Sequence, residues 1–183
     1  ERIQTDVLVA GGSLEGCVAA AELAGRGKKV LLAEESGSLG GLSANGLEIF
    51  LPVRETEGKA REYAEYFLEE AGEEAGAPFY QDQKMKLALR RMLEKRGVTV
   101  LTHMFPAGAE LQGDEAVCRL AGKTGILEIG AKVLIDGTAY LELTGAAGLP
   151  MVEKRRRMTC AVKWEGIAYE PLKNRMAKAE AEG

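Results

Sequence analysis

Leu8-Val9-Ala10-Gly11-Gly12-Ser13-Leu14-Glu15-Gly16 (LVAGGSLEG, residues 8–16) joins an apolar run of strand length, residues 6–10, to an alanine-rich segment, residues 14–26. That segment stops at Gly27, as helices commonly do. Strand, glycine turn, helix is the order of a phosphate-binding loop. A helix N-terminus has backbone N–H groups without partners and a partial positive charge, so it holds a phosphate wherever the chain permits close approach. In such loops a first glycine allows the tight turn, a second the close approach, and a third the packing of helix on strand. Gly11 and Gly16 fill the first and third places, and Ser13 stands at the second. Serine is small, and its hydroxyl can itself donate to a phosphate oxygen. The bland alternative is a plain turn before a helix.

Outward from the loop, residues 29–33 (KVLLA) read as a second buried strand, parallel to the first, which delivers Glu34 and Glu35 at its carboxyl end. A carboxylate roughly 20 positions after such a loop accepts ribose hydroxyls and repels a 2′-phosphate; otherwise the two acids are solvated charges. Residues 36–54 are loop-like and rich in glycine, with Gly37, Gly40, Gly41 and Gly46. Ala60, Tyr63, Ala64, Phe67, Leu68 and Ala71 form the stripe of an amphipathic helix over residues 55–74. A second stripe runs through Met85, Ala88, Leu89, Met92 and Leu93 to the last-turn cations Lys95 and Arg96 and to Gly97. The period then becomes alternating. Residues 98–102 predict a strand, and residues 108–111, 116–120 and 125–129 predict an antiparallel meander with turns at Gln112-Gly113-Asp114 and Gly122-Lys123-Thr124. Residues 132–136 (KVLID) return to a buried strand that ends in Gly137-Thr138.

The bulk properties fit one α/β core. The chain has 183 residues, 46% of them hydrophobic and 28% charged, and 23 glycines with few prolines and aromatics. A net charge of -4 gives no electrostatic reason to expect nucleic acid or an anionic membrane as partner. Cys17, Cys118 and Cys160 are odd in number, far apart and without a C-x-x-C pair, so neither a disulfide framework nor a zinc site is implied, and a reducing cytoplasm is the default. No apolar stretch approaches the ~20 residues of a membrane-spanning helix. The chain starts at Glu1 rather than Met, which leaves a removed leader open.

AGGSLEG, LLAEESGSLGGLSANG and KVLIDGT stand in the order, and near the spacing, of the FAD-dependent oxidoreductases of the glutathione reductase-like superfamily, which this sequence resembles from Thr5 to Pro150. The resemblance implies a Rossmann-like FAD-binding fold, a parallel sheet flanked by helices with an inserted antiparallel β-meander at about residues 103–130. That domain would occupy residues 1–150, with residues 151–183 as a tail. Carried over by position, Gly11, Gly12, Ser13, Leu14, Glu15 and Gly16 form the pyrophosphate loop, and Glu34, with Glu35 beside it, holds the ribose. Gly40, Gly41, Leu42 and Ser43 pass close to pyrophosphate and flavin, and Thr138 closes over the dinucleotide. The implied chemistry is hydride transfer between a small organic substrate and flavin N5, with no catalytic base readable.

The sequence also departs from the family. Ser13 replaces a glycine, Ala139 replaces the glycine after Thr138, and Tyr140-Leu141-Glu142 stands where a polar run is usual. These enzymes are longer, and their further C-terminal glycine-aspartate motif is not found among residues 151–183. Three expectations follow: a fragment, a subunit completed by a second chain or further segment, or a degenerate paralogue without cofactor. A NAD-dependent dehydrogenase using the same loop and Glu34, and a non-catalytic binding or assembly module, are the alternatives in function. His103 reads as a loop or sheet-edge histidine with no triad partner. Cys17 and Cys160 read as buried packing, and the run Lys154 to Arg157 as solvated charge. Trp164 and Tyr169 have no assignable role.

Overall fold

The computed structural model describes residues 2–152 apart from 48, 52, 75, 77 and 78, together with 166 and 168–182. The basic run at 154–157, Cys160 and Trp164 lie outside these residues. Six strands form one sheet: β1 (Arg2–Ala10), β2 (Val30–Glu34), β3 (Thr99–Thr102), β4 (Met104–Gln112), β5 (Glu115–Gly122) and β6 (Gly125–Asp136). The helices are α1 (Leu14–Gly25), α2 (Gly58–Ala71), α3 (Asp82–Lys95), the short α4 (Glu142–Ala146) and α5 (Tyr169–Glu182). The sheet order is β3-β2-β1-β6-β5-β4. β1 pairs in parallel with β2 and with β6, and β2 with β3, whereas β4, β5 and β6 pair antiparallel.

Side chains alternate across a strand, so each central strand feeds two cores. Val7, Val9, Val30 and Leu32 face Cys17, Ala20 and Ala21 of α1, Phe67 and Leu68 of α2, and Met85 and Leu89 of α3. Leu8, Ala10, Leu31 and Ala33 face the other way, against Cys118 and Leu120 of β5, Ile129 and Ala131 of β6, and Leu143 of α4. Both faces of the parallel strands are therefore covered, which is why they read as continuous apolar runs rather than alternating ones.

β3 and β4 stand at opposite edges of the sheet order, yet only His103 separates them. The sheet must curl until its two edges meet, which folds the meander over the second face of the parallel strands. His103 makes the corner in the left-handed region, at φ 58°, and its backbone N–H donates to the Ser36 carbonyl oxygen at 3.3 Å.

The sequence is corrected at several boundaries. Residues 125–129 and 132–136 are not two strands but the single strand β6, which runs through Gly130. There β6 bonds to neighbours on both sides, Gly130 opposite Gln4 of β1 and opposite Val117 of β5. A Cβ at Gly130 would come within 2.6 Å of the Gln4 and Glu115 side chains, so the glycine makes room and does not end the strand. The helix expected from residue 55 starts at Gly58, after a separate 3-10 turn at Val53–Glu55. α4 and the helix α5 in the polar end were not foreseen.

Candidate functional site

The turn after β1 is fixed from three sides. The Gly11 N–H donates to the Ala33 carbonyl oxygen at 2.7 Å, and the Gly137 N–H donates to that of Ala10 at 2.7 Å. Gly11 has φ 96°, and a Cβ there would lie 2.4 Å from the Gly137 carbonyl and the Thr138 nitrogen, so only glycine lets the ends of β1 and β6 meet. A Cβ on Gly16 would lie 2.1 Å from the Gly11 carbonyl oxygen, which is the close packing of helix on loop expected at this position. Ser13 is the N-cap of α1: its Oγ accepts from the Gly16 N–H at 3.1 Å.

Glu34 is buried at the carboxyl end of β2 and ties two loops together. Its Oε2 accepts from the Gly12 N–H at 2.6 Å, and its Oε1 accepts from the Ser36 N–H at 2.8 Å and the Ser36 hydroxyl at 2.6 Å. Asn45 and Ser38 continue this network, the Asn45 amide donating to Ser36 Oγ at 3.1 Å and the Ser38 hydroxyl donating to Asn45 Oδ1 at 2.7 Å. Gly40, in the left-handed region at φ 109°, brings the next loop onto the first through its N–H, which donates to the Gly12 carbonyl oxygen at 2.7 Å.

Opposite stands Asp136, the last residue of β6. Its Oδ1 accepts from the N–H and hydroxyl of Thr138, and its Oδ2 accepts from the N–H of Thr144 at 2.8 Å and the hydroxyl at 2.6 Å. Burial works against the charge, but the two hydroxyls and two N–H groups outweigh it and hold the carboxyl below the ordinary aspartate range.

These ends enclose a cleft of about 380 Å³ at the carboxyl edge of the parallel strands. Gly11, Ser13, Glu15, Glu34, Glu35, Gly40, Gly41, Leu42, Ser43 and Thr138 all line it. Gly12, Leu14 and Gly16 do not line it: Gly12 bonds Glu34, Leu14 packs against the first core, and Gly16 caps onto Ser13. The sequence reading missed Asp136, Ala139 and Glu142, and also Met104, Phe105 and Pro106, which form the far wall. Asp136 at a strand end before Gly137-Thr138 carried a readable signal; residues 104–106 reach the cleft only because the sheet curls. Among the described residues that line it, five are carboxylates, Glu15, Glu34, Glu35, Asp136 and Glu142, and none is Lys, Arg or His.

The cysteines and histidine among the described residues stand away from the cleft. Burial, with Glu34 and Glu15 nearby, drives the Cys17 thiol far above its ordinary pKa, and burial pushes Cys118 up to about 11. His103 does not line the cleft. Among the described residues no group of three or more His, Cys, Asp or Glu could hold a metal ion, and no helix is long and apolar enough to cross a membrane.

The glycine loop at residues 11–16, Glu34 and Thr138 thus come together in one cleft at the carboxyl ends of the parallel strands, which is where open α/β sheets take their ligands. The family model for FAD-dependent oxidoreductases matches residues 6–170, and the chain belongs to that family. No curated protein sequence matches it. Among solved structures it is similar to L-proline dehydrogenase from P. horikoshii, at 23% identity and a TM-score of 0.53 over 75% of this chain and 23% of that one. It is also similar to THI4 from Thermovibrio ammonificans, at 21% and 0.58 over 80% of this chain and 64% of that one. A geranylgeranyl bacteriochlorophyll reductase-like protein from Thermoplasma acidophilum matches at 23% and 0.58, over 81% and 43%. The chain thus spans less than two thirds of the length of each, and the likeness is one of fold. The Rossmann-like fold with an antiparallel meander and the flavin-dependent class agree with the expectation from the sequence, and FAD is the cofactor to which the family points.

Proposed function

We propose that this chain is the FAD-holding part of an oxidoreductase that transfers hydride between a small organic substrate and flavin. One observation carries the reading: Gly11, Ser13, Glu34, Gly40 to Ser43 and Thr138, from separate parts of the chain, line a single cleft onto which the N-terminus of α1 opens. The residues fit the group. The Glu15 N–H, in the first turn of α1 and at the cleft, has no intrahelical acceptor and suits a pyrophosphate oxygen. A carboxylate offers about four acceptor positions and Glu34 uses three of them, so one remains for a ribose hydroxyl. When bound, FAD supplies the redox chemistry; the chain binds and orients it.

The substrate region belongs to a further segment or a second chain. Leu42, Phe105, Tyr140 and Leu141 support this, since each exposes about half or more of its side-chain-bearing surface in or next to the cleft. A reducing, cytoplasmic setting is supported by the free, buried thiols of Cys17 and Cys118. The visible absorption spectrum of the purified chain, before and after incubation with excess FAD and removal of unbound flavin, tests the reading. Retained flavin bands that disappear in Glu34→Ala are expected. A chain that stays colourless overturns the reading in favour of a scaffold without cofactor, and retention of NAD instead of FAD favours the dehydrogenase alternative.

A further inference from the structure

A second crevice lies between α1, α2 and α3 on the helical side of the sheet. Its volume is about 220 Å³, and it shares no residue with the cleft. Glu22, which α1 contributes to it, stands about two helical turns beyond Glu15. The walls are aromatic and apolar: Tyr63 and Tyr66, whose rings both pack on Phe67, and Met92. An apolar cavity of about 150 Å³ takes a benzene molecule, so this crevice has room for one aromatic ring and a small substituent.

Arg96 forms the polar end. Its Nη1 donates to the Ala21 carbonyl oxygen at 3.0 Å and to the Tyr63 hydroxyl at 2.7 Å, and that hydroxyl donates in turn to Glu22 at 2.7 Å. These two bonds use both hydrogens of Nη1, and they are all that a strut between α1 and α2 requires. The Nε and Nη2 hydrogens, the parallel fork that matches a carboxylate, meet no acceptor among the described residues. The guanidinium also lies over the Tyr63 ring, 5.6 Å from its centroid. The Tyr66 hydroxyl has no hydrogen-bond partner among the described residues either. Burial and the nearby Glu70 raise its phenol above the ordinary tyrosine value, against Lys95 and Arg96, so it stays a donor at neutral pH. Lys59, Lys95 and Arg96 outnumber the two acids of the crevice, Glu22 and Glu62, which reverses the sign of charge found in the cleft.

We propose that this crevice is a second binding site, for a small aromatic carboxylate. The carboxylate accepts from Nε and Nη2 of Arg96 and from the Tyr66 hydroxyl, and the ring lies against Tyr63 and Met92. The site stands independently of the FAD reading.

NMR titration of the purified chain, 13C-labelled at its methionine methyls, with benzoate and with benzamide tests this. The Met92 resonance is identified by its absence in Met92→Leu. Saturable benzoate binding that shifts the Met92 methyl is expected, with benzamide, of the same shape but uncharged, roughly tenfold or more weaker. Tyr66→Phe removes a hydroxyl that no described residue bonds, so it should keep its melting temperature and weaken benzoate by about three- to tenfold. Equal affinity for benzoate and benzamide, a benzoate affinity unmoved by Tyr66→Phe, or a Met92 methyl that does not shift overturns the site. Displacement of benzoate by FAD would put it in the cleft and overturn the site as well.

Discussion

A methyl group added to Gly16 would collide with the Gly11 carbonyl oxygen, and this single contact sets two demands against each other. Alanine gains about 1 kcal/mol over glycine inside a helix. At 2.1 Å from a backbone oxygen, however, the added carbon forces α1 off the loop, and both partners are main chain or nearly so. Gly16→Ala is therefore expected to lower stability, by ~1–3 kcal/mol, in urea denaturation; an unchanged or higher midpoint would show that α1 can slide. Gly11, Gly16 and Glu34 were legible in the sequence because each answers a need set by its near neighbours: a left-handed turn, a close contact, a carboxylate after a strand. Gly12 and Leu14 belong to the same motif yet support the cleft from behind, since alternation and helical phase turn them toward Glu34 and the first core.

Among the elements, α4 shows how a five-residue helix persists without length of its own. Leu143 anchors it in the second core, and its first-turn N–H groups are met from outside: Glu142 donates to the Thr138 hydroxyl at 2.8 Å, and Thr144 to Asp136. The carboxyl of Asp136 is held below its ordinary pKa, so the stability that it contributes is fully present above the unfolded aspartate value, about 3.9, and is lost as pH falls through the folded one. Asp136→Asn should flatten the acid limb of the stability profile below about pH 4 while lowering stability at neutral pH; parallel acid limbs in wild type and variant would contradict this. No periodicity announces α4, because its order comes from Asp136 and Leu143 rather than from an apolar stripe. α2 and α3 were legible for the opposite reason: Phe67, Leu68, Met85 and Leu89 repeat at helical spacing and are fully buried. β6 reads as two strands in the sequence, 125–129 and 132–136, and only pairing on both sides of Gly130 shows that one strand runs through it.

At the scale of the whole molecule the cleft is acidic. Among the described residues five carboxylates and no lysine, arginine or histidine line it, while the end of α1 contributes only about half a positive charge. Repulsion of an anionic dinucleotide therefore dominates at long range, and salt screens it as the Debye length falls from about 30 Å at 0.01 M to about 8 Å at 0.15 M. FAD affinity measured by fluorescence titration should rise over that range, against the usual trend for phosphate sites; a fall would mean that cationic groups outside the cleft lining govern approach. The far wall, Met104 to Pro106, and the near wall at Ser13 and Glu34 are joined by the curl at His103, which no local pattern of residues encodes.

The parallel pairing of β1 with β6, Arg2 beside Glu128 through Ala10 beside Asp136, also sets the timetable of synthesis. β1, the first of the six strands in the chain, is central in the finished sheet, and its partner β6 is translated only after α1, β2, α2, α3, β3, β4 and β5. A nascent chain that has reached β3 can dock α1, β1, β2 and β3 yet still presents the open side of β1, apolar on both faces, to any passing strand. The cleft is not closed until Asp136 and Thr138 have emerged, so cofactor capture during translation cannot precede the emergence of β6 and its end.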